Sequence, residues 1–124
     1  MPTRNKFVPS GVIPACLLPF NDDFSIDEKN YRKHLRDVAA VEGLSAVTVN
    51  AHASEAHACS FEEQQRVLGV SLSELPSMPV VNGIYADGSA YAAKLASMAD
   101  AEGASALLVF PPNSIAMGLS LIHI

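Results

Sequence analysis

Four short apolar runs recur along the chain, and segments of mixed polarity separate them. The runs are GVIPACLLPF at residues 11–20, the residues after Gly43, MPVVNGI at residues 78–84, and the residues after Gly103. Short apolar runs that contain several valines are typical of strands buried on both faces. These runs begin roughly 25–35 residues apart, which is the size of one strand–helix unit. The pattern therefore predicts four strands joined by three longer segments.

Two of the runs belong to an internal repeat. EGLSAVTVN begins at Glu42, and EGASALLVF begins sixty positions later at Glu102. Both follow the pattern E-G-x-S-A-x-x-V-x, and a glycine in second place can adopt the left-handed conformation that ends a helix. The repeat therefore predicts a helix end followed by a buried strand at both places.

The segments between the runs have the periodicity of amphipathic helices. Ser25 and Glu28 have the spacing of a capping box at a helix start, as do Ser60 and Glu63. Ser89 is a candidate N-cap for a third helix. The predicted inward faces consist of Tyr31, Leu35, Val38 and Ala39 in the first helix, Phe61, Leu68, Leu72 and Leu75 in the second, and Ala92, Leu95, Ala96 and Ala99 in the third.

The order β-α-β-α-β-α-β indicates an α/β protein with parallel strands and helical crossovers. Two architectures fit this order: an open, doubly wound sheet, or part of a (β/α)₈ barrel. A complete barrel needs about 250 residues. On the barrel interpretation, a chain of 124 residues is about half of one.

Composition narrows the possible partners. The net charge is −5 with eight scattered Lys and Arg residues, which argues against a nucleic-acid surface. No apolar run follows the basic residues of the N-terminus, and no window approaches the roughly 18 apolar residues of a membrane span. Two cysteines, Cys16 and Cys59, do not form a disulfide framework. We therefore expect one domain with reduced thiols in the cytoplasm, without nucleic-acid or membrane partners.

Several stretches together resemble the N-terminal half of the dihydrodipicolinate synthase / N-acetylneuraminate lyase family. They are GVIPACLLPFNDDFSIDEKNYRKHLRDV, VNAHASEA followed by SFEEQQRVL, PVVNGI, and GASALLVFPP. The resemblance implies a partial TIM (β/α)₈ barrel with about four parallel strands and three intervening helices. It also implies a homo-oligomeric lyase or aldolase that binds a 2-oxo acid such as pyruvate as a Schiff base on a lysine, without a cofactor. In this family, threonine and tyrosine hydroxyls relay protons.

The chain departs from the family pattern at the positions that carry this chemistry. The family usually has G-T-T-G-E where this chain has AHASE, so His52 stands at the relay threonine and Ala53 at a carboxylate-binding threonine. The family's relay tyrosine falls at Ser114. These changes indicate a divergent subfamily with another substrate. The resemblance makes His52 and Ser114 the catalytic candidates, and Ala53, Ser54, Glu55 and Asn113 the substrate-binding candidates.

The lysines do not fit the expected catalytic position. The chain has four: Lys6 in the N-terminal tail, Lys29 and Lys33 in the first predicted helix, and Lys94 in the third. In a barrel, catalytic groups lie at the C-terminal ends of the strands. The resemblance places the Schiff-base lysine on a later strand, beyond residue 124. We therefore expect this segment to be inactive without the rest of a barrel.

The loop VNAHASEAHACSF raises the question of a metal site. Its spacing H-x-x-E-x-H-x-C matches no standard zinc pattern, so we predict no metal. We expect Glu55 to anchor the loop by accepting backbone N–H bonds. His57 and Cys59 are expected to serve in packing or in a subunit contact.

The predicted organisation has three parts: a tail at residues 1–10, a half-barrel at residues 11–118, and an atypical tail at residues 119–124. The last residues, LSLIHI, have no counterpart in the family. They favour the hypothesis that the coding sequence was truncated or ran into foreign sequence near Gly118. The rival to the lyase hypothesis is a non-catalytic α/β binding or assembly module that uses the His/Ser loop.

Overall fold

Helices and strands alternate along the chain, as the apolar pattern predicts. The structure is a computed structural model that describes residues 7–112. The strands form one parallel sheet in the order β1-β2-β3, with Val47 beside Val80 and Val81 beside Ala106. This confirms the α/β class, and the strands lie side by side in chain order, as they do in a barrel wall. The elements are α1 (Glu28–Ala39), β1 (Val47–Val49), α2 (Phe61–Glu74), β2 (Val80–Ile84), α3 (Ser89–Glu102) and β3 (Ala106–Val109).

The first predicted strand lies beside β1 but is not a continuous strand. It makes two isolated parallel bridges, Val12 with Leu44 and Ala15 with Thr48. Between the bridges lies Pro14, whose carbonyl accepts a bond of 2.8 Å from the Thr48 N–H. Because proline has no N–H to donate, the ladder is interrupted there. The segment still supplies a fourth parallel piece at the free edge of β1.

The repeat reflects two equivalent positions in the sheet. Ser45 donates its backbone N–H to the Val12 carbonyl at 3.1 Å, and Ser105 donates its own to the Val80 carbonyl at 2.8 Å. Each serine therefore connects its strand to the preceding one. Gly103 caps α3 in the left-handed conformation, with φ 106°, as predicted.

Two of the three predicted helix starts are wrong in detail. The Ser60–Glu63 capping box is present at the start of α2. The N-cap of α1 is Asp27, because the Ser25 hydroxyl donates to Asp23 and is used in the preceding turn. Ser89 is the first residue of α3 and not its cap, which is Gly88 without a side-chain hydrogen bond.

The core lies between the sheet and the helices, and it is unevenly covered. All residues of β1 and β2 are buried, together with Tyr31, Leu35, Leu68 and Leu95 from the three helices. By contrast, Val109 in β3 is 65% exposed. Within residues 7–112, no helix is both long and apolar enough to cross a membrane.

A surface ion-pair network joins α1 to α2 on the outside of the sheet. Glu28 pairs with Arg32 at 2.9 Å and with Arg66 at 2.7 Å. Glu74 pairs with Arg32 at 2.9 Å and with Arg36 at 2.5 Å. Hydrogen bonds from these arginines are the largest cause of the lowered pKa of both Glu28 and Glu74.

Candidate functional site

The loop after β1 has an unusual backbone. It begins at Asn50 and contains two short 3₁₀ turns, His52–Ser54 and Ala56–Ala58, which meet at Glu55. Both Asn50 and Glu55 have φ of 53°, in the left-handed region. That region is uncommon for residues with a side chain, and such residues cluster at functional sites. The loop is therefore held in a defined shape by its surroundings.

Two buried side chains hold this loop against the barrel wall. Ser54 is buried, and its hydroxyl donates to the Cys16 carbonyl at 2.7 Å. The side-chain amide of Gln64, in α2, donates to the carbonyls of Ala56 at 3.3 Å and Cys59 at 3.2 Å. The first apolar run and the start of α2 thus fix the loop from two directions.

A buried amide cluster of Asn50, Gln64 and Asn82 lies beneath the loop. The Asn50 amide nitrogen donates to the backbone carbonyl of Gln64 and to Asn82 Oδ1, both at 2.8 Å. Within the described residues, Asn50 Oδ1 and Gln64 Oε1 are buried without a hydrogen-bond partner. Gly83 lies directly against this cluster, because a Cβ at Gly83 would overlap the Asn50 carbonyl. The loop backbone therefore crosses β2 in contact with it.

Above the loop, four rings form an aromatic–imidazole cluster of His52, His57, Tyr85 and Phe110. His52 stacks on Phe110, with ring centroids 4.2 Å apart and planes inclined by 20°. Tyr85 meets His52 edge-on at 5.6 Å and His57 edge-on at 6.1 Å. Tyr85 and Phe110 directly follow β2 and β3, while both histidines follow β1. The cluster therefore lies at the C-terminal edge of the sheet, where barrel enzymes place their reactive groups.

The two cysteines are not activated nucleophiles. Burial raises the pKa of Cys16 to about 11. The pKa of Cys59 is raised by burial and then by the carboxylates of Glu63 and Glu55. A reactive cysteine requires a lowered pKa. Cys59 packs against the core. Among the described residues, no group of three or more His, Cys, Asp and Glu side chains is arranged to hold a metal ion.

The sequence model of the dihydrodipicolinate synthetase family matches residues 8–115. The chain belongs to this family. A 4-hydroxy-tetrahydrodipicolinate synthase from Methanothrix thermoacetophila is 32% identical over 102 residues, which cover 82% of this chain and 34% of the relative. A probable 5-dehydro-4-deoxyglucarate dehydratase from Streptomyces avermitilis is 33% identical over 113 residues, 90% of this chain and 35% of the relative.

A solved structure gives the same assignment for the fold. Dihydrodipicolinate synthase from Rhodopseudomonas palustris superposes with a TM-score of 0.77 at 29% identity, over 84% of this chain and 34% of that one. The chain thus spans about a third of the length of the relatives that it matches. The α/β wall described above is one part of the family's fold.

The predicted site residues differ from one another in their exposure and in their contacts. His52 is exposed in the aromatic–imidazole cluster, Ala53 is half-buried, and Ser54 is buried with its hydroxyl proton donated to Cys16. Glu55 is exposed, and within residues 7–112 its carboxylate accepts no backbone hydrogen bond, so the predicted anchoring role is wrong there. Asn113 and Ser114 lie outside the described residues.

Sequence reasoning missed Tyr85 and Phe110. Each is the first residue after an apolar run, at the same edge of the sheet as the predicted loop. That position was the available signal, since all parallel strands of a barrel end on one face.

The three described lysines lie on helices, as predicted. Lys29 and Lys33 are exposed on α1, where Lys33 pairs with Asp37 at 2.5 Å. Lys94, on α3, has its Nζ 4.3 Å from the centre of the Phe61 ring. A cation over an aromatic face is an attractive contact, but it lies between helices and not at a strand end. Lys6 is outside the described residues.

Proposed function

We propose that this chain forms the N-terminal part of a lyase that acts on a pyruvate-like 2-oxo acid. The observation that carries the proposal is the aromatic–imidazole cluster, at the C-terminal edge of a sheet that belongs to the dihydrodipicolinate synthetase family. In the proposal, the lysine that forms the Schiff base lies beyond residue 124, and residues 1–124 are inactive without it. The cytoplasm remains the predicted compartment.

The proposed chemistry uses His52 in place of a hydroxyl. A Schiff base withdraws electrons from the bound 2-oxo acid and stabilises the carbanion or enamine that follows. The proton that moves in this step needs a group that can both donate and accept, and a neutral imidazole has one nitrogen of each kind. Stacking on Phe110 at 4.2 Å holds the His52 ring in place for this role.

The substrate is proposed to differ from that of the family's synthases. Ala53 has no hydroxyl with which to hold a carboxylate, and His52 is larger than the threonine that it replaces. The two curated relatives are a synthase and a probable dehydratase. Both names are compatible with a common 2-oxo-acid intermediate, so the proposal commits to that shared step and not to one reaction.

Borohydride trapping with pyruvate tests the proposal directly. The reagent reduces a Schiff base to a stable amine, which intact mass spectrometry detects as a covalent adduct. We expect an adduct on the full-length protein that carries this sequence, at a lysine beyond residue 124, and none on residues 1–124 expressed separately. An adduct on any of the four lysines within residues 1–124 would contradict the proposed position, and no adduct on either chain would contradict the mechanism.

Turnover by the untreated full-length protein then tests His52. We expect His52→Ala to slow carbon–hydrogen exchange of pyruvate by about 10²-fold, the usual loss when a general acid–base group is removed. His34→Ala is the control, because His34 is a histidine on α1, outside the aromatic–imidazole cluster. Equal rates for the wild type and His52→Ala would contradict the assignment of His52.

A second candidate function, an assembly module, is favoured by the exposed apolar strand β3. Leu107, Leu108 and Val109 are 41%, 42% and 65% exposed. An uncovered apolar edge strand is a template for pairing with another chain. Sedimentation analysis of residues 1–124 tests this function. A discrete dimer that Leu108→Lys dissociates would support it, whereas a monomer would contradict it. A homo-oligomeric full-length protein is expected on either proposal.

A further inference from the structure

The loops at the candidate site differ in charge from the helices around them. The first apolar run and the three strands are directly followed by residues 21–27, 50–60, 85–88 and 110–112, which contain no lysine or arginine. Apart from two histidines, their charged side chains are carboxylates: Asp22, Asp23, Asp27, Glu55 and Asp87. All six Lys and Arg residues that the structure describes lie on helices instead. These loops therefore disfavour a further anion at this edge of the sheet.

The polar side chains beneath the candidate site are turned inward. The Ser54 hydroxyl donates to the first apolar run, and the Gln64 amide donates to two carbonyls of the loop. The Asn50 amide donates within the buried amide cluster. All three side chains are at most 3% exposed. They are therefore not placed to bind the hydroxyl groups of a sugar-like substrate.

Tyr85 and Phe110 form an aromatic surface at the same edge. Both residues are half-buried, yet neither ring packs against the hydrophobic core of residues 7–112. Both rings contact His52 instead, Phe110 by stacking at 4.2 Å and Tyr85 edge-on at 5.6 Å. The residues beside them in the chain include Ala86, which is small and apolar. Rings that the core does not use offer flat apolar area to a bound molecule.

We propose that the compound joined to the 2-oxo acid, or released from it, is an uncharged aldehyde that carries an aromatic ring. This inference rests on the proposed lyase function and names the class of its second substrate. The ring of the aldehyde packs against Tyr85 and Phe110, since aromatic rings attract one another when they are offset or edge-on. The carboxylates of the surrounding loops disfavour an anionic aldehyde in the same place, because like charges repel.

The reaction that this aldehyde enters is an addition to the enamine of the 2-oxo acid. The electron pair of the enamine forms the new carbon–carbon bond to the aldehyde carbon. The carbonyl double bond of the aldehyde breaks, and its oxygen takes up a proton. Water then releases the hydroxylated 2-oxo acid from the lysine. Cleavage is the same sequence in reverse, so recognition of the ring serves either direction.

The first test compares three aldehydes on the full-length protein that carries this sequence, with pyruvate in excess. Benzaldehyde has the proposed ring, 4-carboxybenzaldehyde adds a negative charge to the same ring, and glyceraldehyde is uncharged but hydroxylated. Formation of the addition product is followed by liquid chromatography with mass spectrometry. We expect kcat/KM for benzaldehyde to exceed both other values by about tenfold or more, because the charge is repelled and the hydroxyl groups find no partners.

The second test removes one ring of the aromatic surface. We expect Tyr85→Leu to raise the KM for benzaldehyde by about 3- to 10-fold, the effect of one lost aromatic pair. Tyr85→Phe retains the ring and is expected to keep the wild-type KM. Tyr91→Leu is the matched control, because Tyr91 is exposed on the first turn of α3 and lies outside the aromatic–imidazole cluster. Borohydride trapping with pyruvate and the thermal unfolding midpoint are expected to stay at wild-type values in all three variants.

The outcomes separate this inference from the lyase function on which it rests. A protein that pyruvate and borohydride label, but that uses benzaldehyde no better than 4-carboxybenzaldehyde or glyceraldehyde, would overturn the aldehyde class and leave the lyase function standing. An unchanged KM in Tyr85→Leu, or an equal increase in Tyr85→Phe, would show that the Tyr85 ring does not recognise the aldehyde. A wild-type protein without a pyruvate adduct would overturn the lyase function, and this inference with it.

Discussion

The buried amide cluster and the surface ion-pair network differ in their exposure to solvent. The buried amide cluster of Asn50, Gln64 and Asn82 is at most 3% exposed and joins β1, β2 and α2 beneath the candidate site. The surface ion-pair network instead joins α1 to α2 in contact with solvent, with Arg36 57% exposed. The first network consists of neutral groups at 2.8 Å, and the second of full charges at 2.5–2.9 Å.

Burial, more than charge, decides which network matters for stability. Exposed ion pairs contribute little, because water and salt screen them and because long side chains lose entropy when they pair. A buried amide that loses its partner cannot turn to water and is left with the full cost of desolvation. The neutral cluster therefore holds the loop with His52, whereas the charged network mainly fixes how α1 lies against α2.

The largest expected effect comes from Gly83→Ala, at the contact between β2 and the buried amide cluster. The added Cβ would overlap the Asn50 carbonyl and lie 3.0 Å from Ala51 Cα. Because both neighbours are backbone, neither can rotate away. We expect a loss of about 3 kcal/mol in the free energy of unfolding, measured by urea denaturation.

Gly69→Ala is the matched control for this substitution. Gly69 lies inside α2, and the nearest atom to its added Cβ is Glu102 Oε2 at 3.9 Å. Replacing a helical glycine with alanine stabilises by roughly 0.5–1 kcal/mol. Equal behaviour of the two variants would mean that the loop does not press against β2.

The next largest effect is expected from Asn82→Leu, which keeps the branched shape of the side chain and removes the amide. The Asn50 amide would lose its 2.8 Å acceptor at Asn82 Oδ1 while it remains buried. We expect a loss of about 1–3 kcal/mol in the free energy of unfolding. Asn30→Leu provides the comparison, because Asn30 is exposed and its amide donates to Asp27. A larger loss in Asn30→Leu than in Asn82→Leu would contradict the expectation that the buried amide contributes more to stability than the exposed one.

The same distinction explains which features the sequence predicted. The predictions were right where all interacting residues lie within a few positions of one another, as in the Ser60–Glu63 capping box and the left-handed Gly103. They failed where competing partners decide. Ser25 and Glu28 have capping-box spacing, yet the Ser25 hydroxyl donates to Asp23 and the Glu28 carboxylate binds two arginines.

The location of the candidate site could be predicted from the sequence, but the contacts between its side chains could not. The loop with His52 follows an apolar run, so its position at a strand end could be inferred. The partners Tyr85 and Phe110 depend on the register of β2 and β3, which places Asn82 beside Val49 and Leu107. No pattern in the chain gives that register. The amide cluster was missed for the same reason, since Asn50 and Asn82 are far apart in sequence.

The smallest effect is expected from Glu74→Gln in the surface ion-pair network. This variant removes the charge that pairs with Arg32 and Arg36. We expect Glu74→Gln to have a slightly lower free energy of unfolding than the wild type, measured by urea denaturation. Salt screens exposed ion pairs, so this difference should shrink in about 1 M salt, where the Debye length is about 3 Å. Asp37→Asn is the control, because the Lys33–Asp37 pair is isolated on α1 and more exposed.

The pH dependence of that difference separates charge from shape. The folded pKa of Glu74 is lowered from its ordinary 4.5, chiefly by hydrogen bonds from Arg36 and then Arg32. A carboxylate with a lowered pKa stabilises the folded state above its unfolded pKa and loses that contribution as the pH falls through the folded pKa. Wild type and Glu74→Gln should therefore differ at pH 7 and converge below pH 4.5. A difference that persisted in acid would mean that Glu74 acts through packing, and the network would then resemble the buried cluster after all.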